Sequence, residues 1–208
     1  MESIRESLLL FQKGGPVMYL LLLCSLTVIG IAVERLLFYR AVANKPERFT
    51  QDFQRVLQTG DVSDALRLCR ENGGFVARLA EKGLQCEQGK SRHLESVLEG
   101  EASLLANQLR KHLRHLDTIV TIAPLLGLLG TVIGMIGSFS VLNIKAGQPL
   151  AITGGVGEAL VATATGLCVA TVAMLAYSYF NHRLDGIATA MEEVCLLVLE
   201  RNRDYEAS

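Results

Sequence analysis

Two apolar stretches, Ile119–Leu142 and Ala159–Phe180, contain no Asp, Glu, Lys, Arg or His, and one carboxylate, Glu158, stands at the threshold of the second. About 20 consecutive apolar residues are enough for a helix to cross a bilayer, so each stretch is long enough to do so. A third, Pro16–Val33, is slightly shorter and nearly free of polar groups; its Ser25 and Thr27 hydroxyls can bond their own backbone. Residues 34–118, by contrast, are polar and far too numerous for a turn. The pattern predicts an all-α integral membrane protein with three transmembrane helices.

Basic residues flanking the spans set the expected orientation. Arg35, Arg40, Lys45, Arg48, Arg110, Lys111 and Arg114 lie on the long middle segment, against Lys145 alone in the connection from Asn143 to Gly157. Basic residues near span ends stay cytoplasmic, which places the middle segment and the C-terminus inside and the N-terminus outside. Arg5 and Lys13 fall on the outer side but are fewer. The expected divisions are an outer segment 1–15, able to form a short interfacial helix, and a first span 16–33. A cytoplasmic helical segment 34–118 follows, then the second span 119–142, a short periplasmic loop 143–158, the third span 159–180 and a cytoplasmic helix and tail 181–208.

Helical signals fill the cytoplasmic segment. Pro46 can open a helix that Gly60 closes, Asp61 can cap the next as far as Asn72-Gly73-Gly74, and Phe75, Leu79 and Leu84 mark a third. From Ser91, leucines recur at three-to-four spacing up to the second span. This predicts one helix from Ser91 to Leu142, kinked at Pro124. The third span continues through Leu184, Ile187, Met191, Val194 and Val198. Both spans therefore extend into the cytoplasm.

Charge and motifs exclude several functions. The net charge is -1 and no basic run is interleaved with aromatics, so nucleic acid is not an expected partner. The five cysteines form no CxxC pair, and neither metal nor cofactor is implied. No HExxH, GxSxG or phosphate-binding loop occurs, so no enzyme is predicted. His112 and His115 sit among Arg110, Lys111 and Arg114 and read as a solvated helix face.

Within the spans, small residues and hydroxyls remain. Gly127, Gly130, Gly134 and Gly137 fall within about 80° of one another on a helix, with Thr131 about 40° from Gly127. Ala162, Gly166, Ala170 and Ala173 make a matching face on the third span. Small faces let membrane helices approach closely, and packing alone accounts for the glycines. Threonines in such helices commonly bond the carbonyl one turn back; in an oligomer, a ring of Thr131, Thr163 or Thr165 hydroxyls would instead line a polar path. Glu158 is either an interfacial carboxylate favoured by the helix dipole or a functional group in a span. Helix geometry sets Thr165 about 20° and Thr163 about 140° from the Glu158 direction. With no other acid or base in the two spans, any proton relay requires an ionisable group from a partner.

The stretches APLLGLLGTVIG over 123–134 and GVGEALVATATGL over 155–167 resemble the paired signatures of the MotA/TolQ/ExbB proton-channel family. With only three spans, the chain is most similar to the ExbB/TolQ branch. The resemblance implies a homopentamer in a bacterial inner membrane around the single-span helices of an ExbD- or TolR-like partner, which supplies a membrane aspartate. It further implies that a TonB- or TolA-like protein carries the work to the outer membrane, and it makes Thr131 and Thr163 pore-lining hydroxyls with Glu158 at the outer end of the pore. Threonine oxygens suit sodium as well as proton-carrying water; the proton is what the resemblance implies. The rival expectation is a passive membrane scaffold.

Overall fold

The computed structural model describes residues 15–42, 46–59, 61–86, 91–144 and 149–207. Among them every regular element is an α-helix: α1 (Val17–Val42), α2 (Pro46–Thr59), α3 (Val62–Asn72), α4 (Gly74–Gln85), α5 (Ser91–Arg110), α6 (Leu113–Ile144) and α7 (Pro149–Ala207). Three carry stretches apolar and long enough to cross a membrane: Val17–Arg40, Leu113–Ser140 and a part of Gly154–Arg203. The expected interfacial helix within 1–15 lies outside the described residues, apart from Gly15.

The chain divides into two units. One comprises α1 as far as Val33, α6, and α7 as far as Ser178. Its packing inverts that of a water-soluble protein. Ala123, Ala159, Ala162 and Ala173 are buried, whereas large side chains such as Leu125, Leu128, Leu160 and Leu175 are 58–68% exposed. Small residues inside and leucines outside suit helices solvated by lipid, where close backbone approach rather than apolar burial holds helices together. This is a membrane protein.

The other unit contains the remainder of α1, the helices α2 to α5, and α7 from Tyr179 onward. It is built conventionally. Phe53, Leu79, Leu94 and Val194 are fully buried and join Phe49, Leu98 and Val198 in one cluster. Exposed ion pairs such as Arg67–Asp64 and Arg55–Asp52 cover the outside. The short helices follow the expected punctuation. Asp61 Oδ1 accepts from the Ser63 amide at 2.8 Å and caps α3; the Ser63 hydroxyl first and its amide second hold the carboxyl below the usual range. Gly73 and Gly74, both at positive φ, turn the chain from α3 into α4.

Two expectations need correction. The single helix from Ser91 to Leu142 is broken at Lys111 and His112 into α5 and α6. The break is compensated from α1: the Leu109 carbonyl accepts from Arg35 Nη1 and from the Tyr39 hydroxyl, each at 3.4 Å. The Lys111 amide tightens the last turn onto Gln108, and Glu34 pairs with His112 Nδ1 at 2.8 Å. These side chains satisfy carbonyls that a helix end leaves without partners. The loop expected over 143–158 is also largely helical, because α6 runs to Ile144 and α7 begins at Pro149. Proline is well placed at a first helical position, where its missing N–H costs no bond. Helical geometry also holds on both sides of Pro124. At 59 residues, α7 is about 88 Å long.

Burial pushes the Cys69 thiol up to about 12, with Glu81 adding to the shift. Cys69 should therefore stay protonated at pH 8 and react with iodoacetamide only after unfolding, as peptide mapping with and without denaturant would show. Phe53→Ala should destabilise the polar unit by about 3–5 kcal/mol, read by chemical denaturation in detergent.

Candidate functional site

The antiparallel seam between α6 and α7 brings most of the motif residues together. A β-carbon added to Gly127 would lie 3.1 Å from the Thr163 α-carbon and 3.2 Å from the Ala162 carbonyl oxygen. One added to Gly166 would lie 2.6 Å from the Ala123 carbonyl oxygen and 2.9 Å from the Gly127 α-carbon. These neighbours are backbone and cannot rotate away. Gly134 meets Ala159 in the same manner, at 3.0 Å, and Gly130 abuts the Ala162 methyl group. The glycines are thus a geometric requirement for two backbones in contact.

Further along the seam, Ser138 is buried and donates to the Gly134 carbonyl at 2.9 Å. Its hydroxyl occupies the space that a β-carbon on Gly155 would need. The sequence reading missed Ser138; its cue was a hydroxyl one turn beyond Gly134, opposite a glycine pair. Gly137 differs from these seam glycines, since among the described residues no atom outside its own helix backbone lies within 4 Å of where its β-carbon would be. Pro124 is half-buried beside Ala123.

The three threonines divide by partner. Thr163 donates across the seam to the Gly127 carbonyl at 2.9 Å. Thr131 donates to Leu128 at 2.6 Å and Thr165 to Val161 at 2.8 Å, each within its own helix. Thr163 is therefore the one that couples the two helices. In all three the hydroxyl hydrogen is committed to a carbonyl, which leaves the oxygen only its lone pairs to offer. Such oxygens accept: they suit a cation or a water that donates a proton, and they repel an anion.

Glu158 lies at the end of this seam, half-buried, beside the start of α1. Its Oε1 is 2.6 Å from where a β-carbon on Gly15 would sit, and Gly15 has φ +70°. Only glycine fits there, for both conformational and steric reasons. The carboxylate thus rests by a helix N-terminus, where the dipole favours negative charge. The sequence cue was Gly14-Gly15-Pro16, which marks a break but does not say what faces it.

The profile of the MotA/TolQ/ExbB proton channel family matches residues 72–193. The chain belongs to this family. A Synechocystis protein described as a biopolymer transport ExbB-like protein is 34% identical over 203 residues, covering 91% of this chain and 78% of the relative. The biopolymer transport protein ExbB of Neisseria gonorrhoeae is 31% identical over 193 residues, covering 83% and 86%. An ExbB homologue from Methanothermobacter thermautotrophicus is 28% identical, with 85% of this chain matched to 63% of that one. The seam lies wholly inside the matched region, and the chain is ExbB-like. Its function falls within the transport and proton-channel role of that family.

Gly166→Ala should cost about 1–3 kcal/mol by overpacking, whereas Gly137→Ala should be neutral. Thermal unfolding of the two variants in the same detergent would show the difference.

Proposed function

We propose that this chain is the pore-forming subunit of an inner-membrane motor driven by the proton-motive force. Five copies enclose the single-span helices of an ExbD- or TolR-like partner. The observation that carries the reading is the α6–α7 seam, where an uncharged, backbone-tight wall presents oxygens whose hydrogens are already committed. Such a wall can pass a proton-donating water but cannot itself hold the proton, since neither span contains a carboxylate, an amine, a guanidinium or an imidazole. The partner's membrane aspartate supplies that group, and Glu158 gathers cations at the periplasmic mouth.

Protonation lets the partner's carboxyl donate to one subunit's threonine oxygens; deprotonation at the cytoplasmic side leaves an anion that those oxygens repel, which releases the group toward the next subunit. The partner thereby moves relative to the ring. A TonB- or TolA-like protein conveys the movement to the outer membrane, with the N-terminus of this chain periplasmic and the C-terminus cytoplasmic. The relatives' designation as biopolymer transport proteins supports this reading.

Thr163→Val should leave the assembly intact and lower energy-dependent uptake about tenfold, the scale of one lost hydrogen bond, while Thr163→Ser should retain it. Glu158→Gln and Thr131→Ala should also reduce uptake. If all these variants assemble with the partner and take up cargo at the full rate, the chain is a scaffold and the motor reading is wrong.

A further inference from the structure

A cavity of about 600 Å³ opens in the polar unit, between the first turns of α2 and α4 and the stretch of α7 just past its apolar segment. Two helix N-termini therefore face one space. The α4 end has no side-chain cap and no acid in its first turn, so its leading N–H groups have no partner from a capping side chain. Arg48 lies in the first turn of α2, where the helix dipole disfavours a cation. An anion between the two ends would remove that penalty.

The cavity is lined by two arginines and one acid, with a histidine beside them. Arg48, His182 and Arg183 line the cavity, and Glu47 is the acid among them. Arg183 is held over the Tyr179 ring at 5.8 Å and donates to its hydroxyl at 3.4 Å, which leaves other guanidinium N–H groups to donate. Phe49, Phe75 and Ile187 provide apolar wall, and Tyr39 stacks on Phe180 at the last residue of the apolar run. Aromatic rings and arginines just past a span lie at headgroup depth in a bilayer. Basic pockets at that depth receive lipid headgroups.

We propose that this cavity binds a phosphate group, carried by an anionic phospholipid headgroup or by a soluble phosphate ester. Arg48, Arg183 and the α4 N-terminus hold the phosphate oxygens, and the aromatic wall takes whatever apolar part the ligand has. Neither the seam nor ion coupling is involved, so this site stands or falls apart from the motor reading.

The test compares the full-length protein in detergent with its R48Q/R183Q and E47Q variants by native mass spectrometry. Phosphatidylglycerol, phosphatidylcholine and inorganic phosphate serve as probes. Phosphatidylglycerol, inorganic phosphate or both should bind in preference to phosphatidylcholine. The double variant should bind the preferred probe about fivefold less for each arginine removed, and E47Q should bind it about fivefold more. The gain in E47Q cannot arise from misfolding. Millimolar phosphate that displaces the lipid identifies a soluble ligand; lipid that binds regardless of phosphate identifies a headgroup site. Equal binding in the three proteins overturns the proposal, as does a loss in the double variant without a gain in E47Q.

Discussion

The fold of the membrane unit depends on backbone contact between α6 and α7. Lipid offers no hydrophobic drive to bring helices together, so their association relies on dispersion and short polar contacts. Both weaken steeply with distance. Removing side chains at Gly127, Gly134 and Gly166 brings the two backbones within reach. That approach is what allows Thr163, on one helix, to donate to a carbonyl on the other. The hydrogen bond follows from the glycines, and the polarity of the threonine oxygen follows from the bond.

One chain combines two packing regimes. The polar unit buries Phe53, Leu79 and Val194 and keeps its charges outside. Along the α6–α7 seam the membrane unit buries alanine and glycine, and it turns leucines such as Leu125, Leu128, Leu160 and Leu175 outward, while Leu21 and Leu116 are buried. Both α1 and α7 pass from one regime to the other without a break in helical geometry. The change is carried by side-chain size and charge, and it falls between Val33 and Glu34 and between Ser178 and Tyr179.

Much of this was legible in the sequence, because span length and small-residue periodicity are local signals. The glycine seam, the caps at Asp61 and Gly73, and the long α7 all follow from such signals. The break after Arg110 was not legible: the bonds that compensate it reach the Leu109 carbonyl from Arg35 and Tyr39, 74 and 70 residues earlier. The helical start of α7 was obscured by Gly154, Gly155 and Gly157, which read as loop residues. Gly155 is instead the space that Ser138 fills. That Thr163 rather than Thr165 bonds across to α6 could not be read from one helix, since it depends on where α6 lies. The approach of Glu158 to Gly15 at the start of α1 was likewise beyond reach, since it depends on where α1 lies.

The central claim is that the threonine-bearing wall passes protons only when a partner supplies the carboxylate. Proton flux into liposomes under an imposed pH gradient tests it most directly, with the chain reconstituted alone, with its single-span partner, and with a partner whose membrane aspartate is replaced by asparagine. The account predicts flux in the second case and none above the lipid background in the first and third. Equal flux from the chain alone would contradict it.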